Sequence, residues 1–162
     1  MKKAVVIAML AGLVLAVGAY GARRISSGQS IQTQAALYQI DQIEQTWHKA
    51  ASTKNLDLFM SLWAQNATAT VAGKTVTGKA AIRALFAKAG PFQPQNNWVS
   101  DTPAYKIRAT VNGNKGTLYF ECHYIDVDTG KVAAAVGADQ QVQKLNGKWL
   151  ITNMAAATVT LK

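Results

Sequence analysis

The strongest constraint on the fold of this chain is a change of pattern at Pro94. Beyond it lie four β-like runs, at about residues 99–111, 117–127, 132–144 and 148–161. They are separated by Asn112, Gly113 and Asn114, by Asp128, Thr129 and Gly130, and by Asn146 and Gly147. Such residues accept positive φ and mark hairpins, so an antiparallel meander of four long strands is predicted. Before Pro94, Ala36, Leu37, Ile40, Ile43, Trp47, Ala50 and Ala51 recur at three- and four-residue steps, the stripe of an amphipathic helix. A second, short helix is expected over residues 55–63, with Leu58, Phe59 and Leu62 on one side. A third is expected over residues 79–88, entered at Thr77 and Gly78 and closed by Gly90 and Pro91. Between these two, residues 67–71 and 75–76 flank Ala72, Gly73 and Lys74 as a small hairpin. Three helices followed by a meander make an α+β domain.

The N-terminal stretch is read separately. Lys2 and Lys3 precede an apolar run over residues 4–19 that ends in the small residues Val17, Gly18 and Ala19. Residues 1–22 are therefore expected to be a secretory signal peptide, or a membrane anchor if uncleaved, since the run extends to Ala22 before Arg23 and Arg24. Residues 23–33, with Ser26, Ser27, Gly28, Gln29 and Ser30, read as a polar linker, and residues 34–162 as the folded domain. On either reading the domain is expected outside the cytoplasm, secreted or tethered to the envelope. Any contact with a membrane is assigned to the uncleaved segment alone.

Composition narrows the function classes. A chain of 162 residues, 49% hydrophobic and 15% charged, has material for one core and too little charge for a disordered tail. The single cysteine, Cys122, excludes an internal disulfide, and two distant histidines, His48 and His123, leave little for zinc, so no metal is expected. No glycine-rich phosphate loop is present and no cofactor is expected. The formal charge is +9, yet the basic residues are scattered and form no stripe interleaved with aromatics, so nucleic acid is not an expected partner.

The segment NLDLFMSLWAQNATATVAGKTVTGKAAIRALFAKAG, residues 55–90, resembles the first half of a nuclear transport factor 2-like domain, the superfamily of the SnoaL-like and ketosteroid isomerase-like proteins. The closing KLNGKWLI, residues 144–151, is similar to that superfamily's final hairpin. The resemblance implies a cone-like fold, three N-terminal helices packed in a curved antiparallel sheet, with a pocket at the open end. It implies no single activity, because members include isomerases, dehydratases, hydrolases, and domains that bind without chemistry. Pressed further, it places the isomerase family's proton-shuttling aspartate on Val71, its oxyanion-hole tyrosine on Trp47 and its second oxyanion-hole group near Asp139. Valine cannot accept a proton, so that chemistry is not expected here.

Strand alternation selects the residues facing the pocket, since side chains two apart share a face. Leu118, Phe120, Cys122 and Tyr124 form one set, with Tyr119, Glu121 and His123 opposite. A two-residue turn at Asn146 and Gly147 would pair Leu145 with Lys148, hence Val142 with Ile151 and Gln140 with Asn153. The expected polar lining is Tyr105, Cys122, Tyr124, Gln140 and Asn153, joined by Trp47 from the first helix. Glu121 and His123 are expected outward, as a solvent-exposed pair or the contact of a homodimer through the outer sheet face. Asp139 also falls outward unless a bulge slips it inward. On the first helix Glu44 lies within the apolar stripe, while Asp41 and His48 sit at its edge.

Together these readings predict an exported domain that binds a small, largely apolar ligand without catalysis. The alternatives are an isomerase, dehydratase or hydrolase using Glu44 or Asp139, and a dimeric interaction module.

Overall fold

The computed structural model describes residues 31–161. The leader expected at residues 1–22 and most of the linker lie outside the described residues. The compact unit that carries the core is Leu37–Lys162; of the other unit, Met1–Ala36, only residues 31–36 are described, and they are helical.

Helix α1 is described over residues 31–52 and buries the stripe read from the sequence, from Ile40 through Ile43, Trp47, Ala50 and Ala51. Helix α2, Leu56–Met60, starts where Asn55 Oδ1 accepts the Leu58 N–H at 2.9 Å. It is shorter than expected because residues 63 onward are extended. Helix α3, Lys79–Phe86, is entered through Gly78 at φ 89°, a conformation that favours glycine, and buries Ile82 and Phe86. Phe59 meets Trp47 edge-on at 4.5 Å and Phe86 at a tilt at 4.6 Å, so one aromatic cluster joins these three helices.

Among the described residues the sheet has seven strands: β1 (Trp63–Val71), β2 (Lys74–Thr77), β3 (Trp98–Asp101), β4 (Arg108–Asn112), β5 (Lys115–Asp126), β6 (Lys131–Leu145) and β7 (Lys148–Thr158). Its order is β2-β1-β7-β6-β5-β3, with β4 also on β5. Two expectations are corrected. The run at residues 99–111 is not one long strand: Pro103, which has no N–H for a ladder, starts a short 3-10 turn at Ala104–Lys106, and β3 and β4 pair with separate stretches of β5. Nor is the sheet wholly antiparallel, because β1 runs parallel to β7.

The final hairpin closes as read, with Leu145 opposite Lys148 and Val142 opposite Ile151. Then the register slips, and Gln141, not Gln140, faces Asn153. Thr152 is the extra residue of a bulge, its hydroxyl donating to the Gln141 carbonyl at 3.1 Å. The consequence is a parity change along β7 that buries Met154 and exposes Asn153.

Candidate functional site

On β5 the alternation is uninterrupted, and Leu118, Phe120, Cys122 and Tyr124 are all buried against the helices. The end of this face, with α1, α3 and β3, lines a cavity of about 270 Å³. Trp47, Val71, Phe86, Trp98, Cys122, Tyr124 and Ala138 form much of its wall. Trp98 stacks on Tyr124 at 6.2 Å and passes so close to Gly90 that a Cβ there would lie 2.5 Å from its ring.

Four of these residues carry polar atoms: the Trp47 and Trp98 indoles, the Cys122 thiol and the Tyr124 hydroxyl, the Trp98 N–H being engaged by Asp126. Burial pushes the Cys122 thiol up to about 12, hydrogen bonding to Tyr124 working against it, the Glu44 charge adding to it and hydrogen bonding to Trp47 opposing it. Burial likewise holds the Tyr124 hydroxyl well above its ordinary 10.0, with the neighbouring Cys122 adding to the effect. Both groups are neutral across the physiological range, so the cavity offers hydrogen bonds and no charge.

The remaining predicted positions fall elsewhere. Tyr105 belongs to the 3-10 turn that breaks the expected strand and is 79% exposed. Asn153 is exposed on the outer face because of the Thr152 bulge. Gln140 is 3% exposed on the inner face, with neither amide atom hydrogen-bonded to the described residues, and is not part of the cavity wall. Asp139 is exposed, opposite Tyr119, and its neighbour Ala138 takes the inward place. The bulge lies on β7, so it moves Asn153 and leaves Asp139 outside. Val71 and Trp47, the positions matched to the isomerase's base and donor, do reach the cavity.

Glu44 is buried in a polar cluster and is not part of the cavity wall, although its charge is felt at Cys122. Its Oε1 lies 3.0 Å from His48 Nε2, which is also 2.5 Å from Thr102 Oγ1, while His48 Nδ1 is 2.6 Å from Ser100 Oγ. Both ring nitrogens are hydrogen-bonded to hydroxyls, Nδ1 to Ser100 and Nε2 to Thr102, with the Glu44 carboxyl beside Nε2. Ser52 Oγ takes the Ser100 N–H at 2.8 Å, fixing β3 to α1. Sequence reading placed Glu44 in the stripe but missed Ser100 and Thr102. Only the four-residue spacing of Glu44 and His48 signalled the pair.

The outer cluster also departs from expectation. Glu121 is buried, not a solvent-exposed partner of His123. Its Oε1 accepts from Lys106 Nζ and from the Tyr119 hydroxyl, each at 3.0 Å, and His123 Nε2 is 3.6 Å from Oε2. Chiefly through the Lys106 hydrogen bond, the Glu121 carboxyl is held below its ordinary value. Among the described residues no three His, Cys, Asp or Glu side chains are grouped to hold a metal, and no helix is long and apolar enough to cross a membrane.

Comparison with known proteins follows this architecture. A comparison with curated proteins finds no match. An NTF2-like protein with a cystatin-like fold from Novosphingobium aromaticivorans is 14% identical with a TM-score of 0.68, covering 85% of this chain and 88% of its own. An NTF2-like protein of unknown function from Pseudomonas putida KT2440 is 15% identical with a TM-score of 0.67, covering 76% and 87%. A proposed scytalone dehydratase from Novosphingobium aromaticivorans DSM 12444 is 11% identical with a TM-score of 0.67, covering 81% and 89%. At these identities the likeness is one of fold. The family profile of the SnoaL-like domain matches residues 44–149, from the buried Glu44 to Trp149 at the start of β7, and the chain belongs to that family.

Proposed function

We propose that this is an extracytoplasmic SnoaL-like domain that holds one small, largely apolar molecule in the cavity beside Trp98 and does not transform it. The observation that carries the reading is the wall itself: a cavity of about 270 Å³ lined by aromatic and aliphatic side chains, with polar atoms from Trp47, Trp98, Cys122 and Tyr124 and no charged residue. Such a site gains affinity from buried apolar area and orientation from one or two hydrogen bonds. General acid–base work needs a group that exchanges a proton near the working pH, and Cys122 and Tyr124 are shifted away from it. Extracytoplasmic placement rests on Lys2, Lys3 and the apolar run that follows them.

Solvent extraction of the purified chain followed by mass spectrometry, and titration with a fluorescent apolar probe, test this reading. The expected result is a stoichiometric apolar compound or saturable probe binding, lost in Ala138→Leu, which fills the cavity. Equal probe binding by Ala138→Leu would refute it.

A second reading, an isomerase, dehydratase or hydrolase, is favoured by one observation, the buried Glu44 carboxylate beside His48. It predicts a turnover abolished by Glu44→Gln with the fold retained. Asp139, exposed on the outer face, takes no part in it.

A further inference from the structure

The buried cluster around His48 lies outside the cavity wall, yet it ends on the strand that carries Trp98. Trp98 and Ser100 on β3, and Thr102 just after it, are alternate residues that share the inner face, while Val99 and Asp101 between them are exposed. The first of the three lines the cavity. The other two meet the two ring nitrogens of His48, Ser100 Oγ at 2.6 Å from Nδ1 and Thr102 Oγ1 at 2.5 Å from Nε2. Glu44 Oε1, 3.0 Å from Nε2, holds the ring from the preceding turn of α1. Because β3 is the end strand of the sheet, paired with β5 on one side, its distance from α1 is set by these bonds and by the Ser52 Oγ that takes the Ser100 N–H. The Trp98 ring is held at three places: on Tyr124, with centroids 6.2 Å apart, against Gly90, and by its N–H at Asp126. Tyr124 and Asp126 belong to β5, so the freedom left to this part of the wall is a shift of β3 away from α1, which the His48 bonds oppose.

We propose that His48, held by Glu44, is a positioning residue for the cavity: through Ser100 and Thr102 it fixes the place of Trp98 and thereby the largest ligand the cavity admits. The proposal rests on the reading of the cavity as a ligand site, and it gives the Glu44–His48 pair a role that needs no turnover. An imidazole suits the task because its two nitrogens sit on one rigid ring, so two hydroxyls from alternate residues of an extended strand are held at a set spacing. Hydroxyls both donate and accept, so Ser100 and Thr102 each meet a ring nitrogen whether or not it carries a proton. The size limit follows from volume. An apolar cavity of about 150 Å³ takes up benzene, so about 270 Å³ suits a compact molecule of two fused rings, and a third ring requires Trp98 to give way.

Fluorescence titration of the full chain with naphthylamine, of two fused rings, and with anthramine, of three, gives the ratio of the two affinities. The wild type should favour naphthylamine. The double variant Ser100→Ala, Thr102→Val keeps Glu44, His48 and every wall residue, and should shift the ratio roughly tenfold toward anthramine. Partial unfolding weakens both ligands alike and leaves the ratio where it was, so a merely structural role of the cluster does not move it. A second measurement uses the unaltered chain, which has two histidines, His48 beside β3 and His123 in the outer cluster. Saturation with naphthylamine should shift the imidazole C–H resonances of His48 and leave those of His123 in place. If the double variant does not fold, the His48 resonance decides alone. Saturable naphthylamine binding with an unchanged ratio in the double variant, with a silent His48, or with a wild type that favours anthramine overturns the proposal and leaves the cavity reading standing. Absence of saturable naphthylamine binding overturns both.

Discussion

Glu44 and His48 lie one turn apart on α1, Oε1 to Nε2 3.0 Å, with 8% and 11% of their side chains exposed. On a solvated helix such a pair contributes a few tenths of a kcal/mol. Buried, each member satisfies the other, so Glu44→Ala and His48→Ala should each lower the unfolding free energy by about 3 kcal/mol in urea titrations. The double variant should lose less than the two single losses together, because the first substitution has already broken the cluster.

Cys122 should be inert to alkylation in the native state. With the thiol pushed up from 9.0 to about 12, its thiolate fraction at pH 8 falls by roughly a thousandfold relative to the unfolded chain. The raised value stabilises the fold fully below 9.0, and that contribution is lost as pH rises from 9.0 toward 12. Iodoacetamide labelling with and without denaturant, followed by mass spectrometry, measures the ratio.

The Lys106–Glu121 contact should appear in the acid limb of stability. A carboxyl held below its ordinary value stabilises the fold above the unfolded value of 4.5, and the contribution disappears as pH falls through the lower native value. The gap between wild type and Lys106→Met in thermal melts is therefore expected to be widest above pH 4.5 and to close below it.

Neighbouring residues on β7 should respond oppositely to truncation. Met154→Ala removes a wholly buried side chain and should cost about 3 kcal/mol, whereas Asn153→Ala, on the exposed face, should stay within about 0.5 kcal/mol. Equal losses at the two positions would contradict the Thr152 bulge.

The legible part of the fold was what local pattern controls. The α1 stripe, the inward set on β5 and the Asn146–Gly147 turn all follow from periods and turn residues within one element. Pro103 interrupts a run that reads as β on either side, so the break and the exposure of Tyr105 went unread. A bulge leaves no local mark: Thr152 is an ordinary strand residue, and its effect on Asn153 arises from pairing with both β6 and β1. The cavity positions Trp47, Cys122 and Tyr124 were legible because they sit on regular elements before any slip. Ser100 and Thr102, 52 and 54 residues from His48, are joined to it only by tertiary folding, and no spacing announces them.

The placement of β7 between β1 and β6 has a bearing on the order in which the chain can assemble. The β1–β2 hairpin, made early, joins the rest of the sheet through parallel pairing with the last strand. Its β7-facing edge stays open until β7 has left the ribosome, so a nascent chain truncated before residue 148 would carry β1 paired on one side alone and remain prone to association.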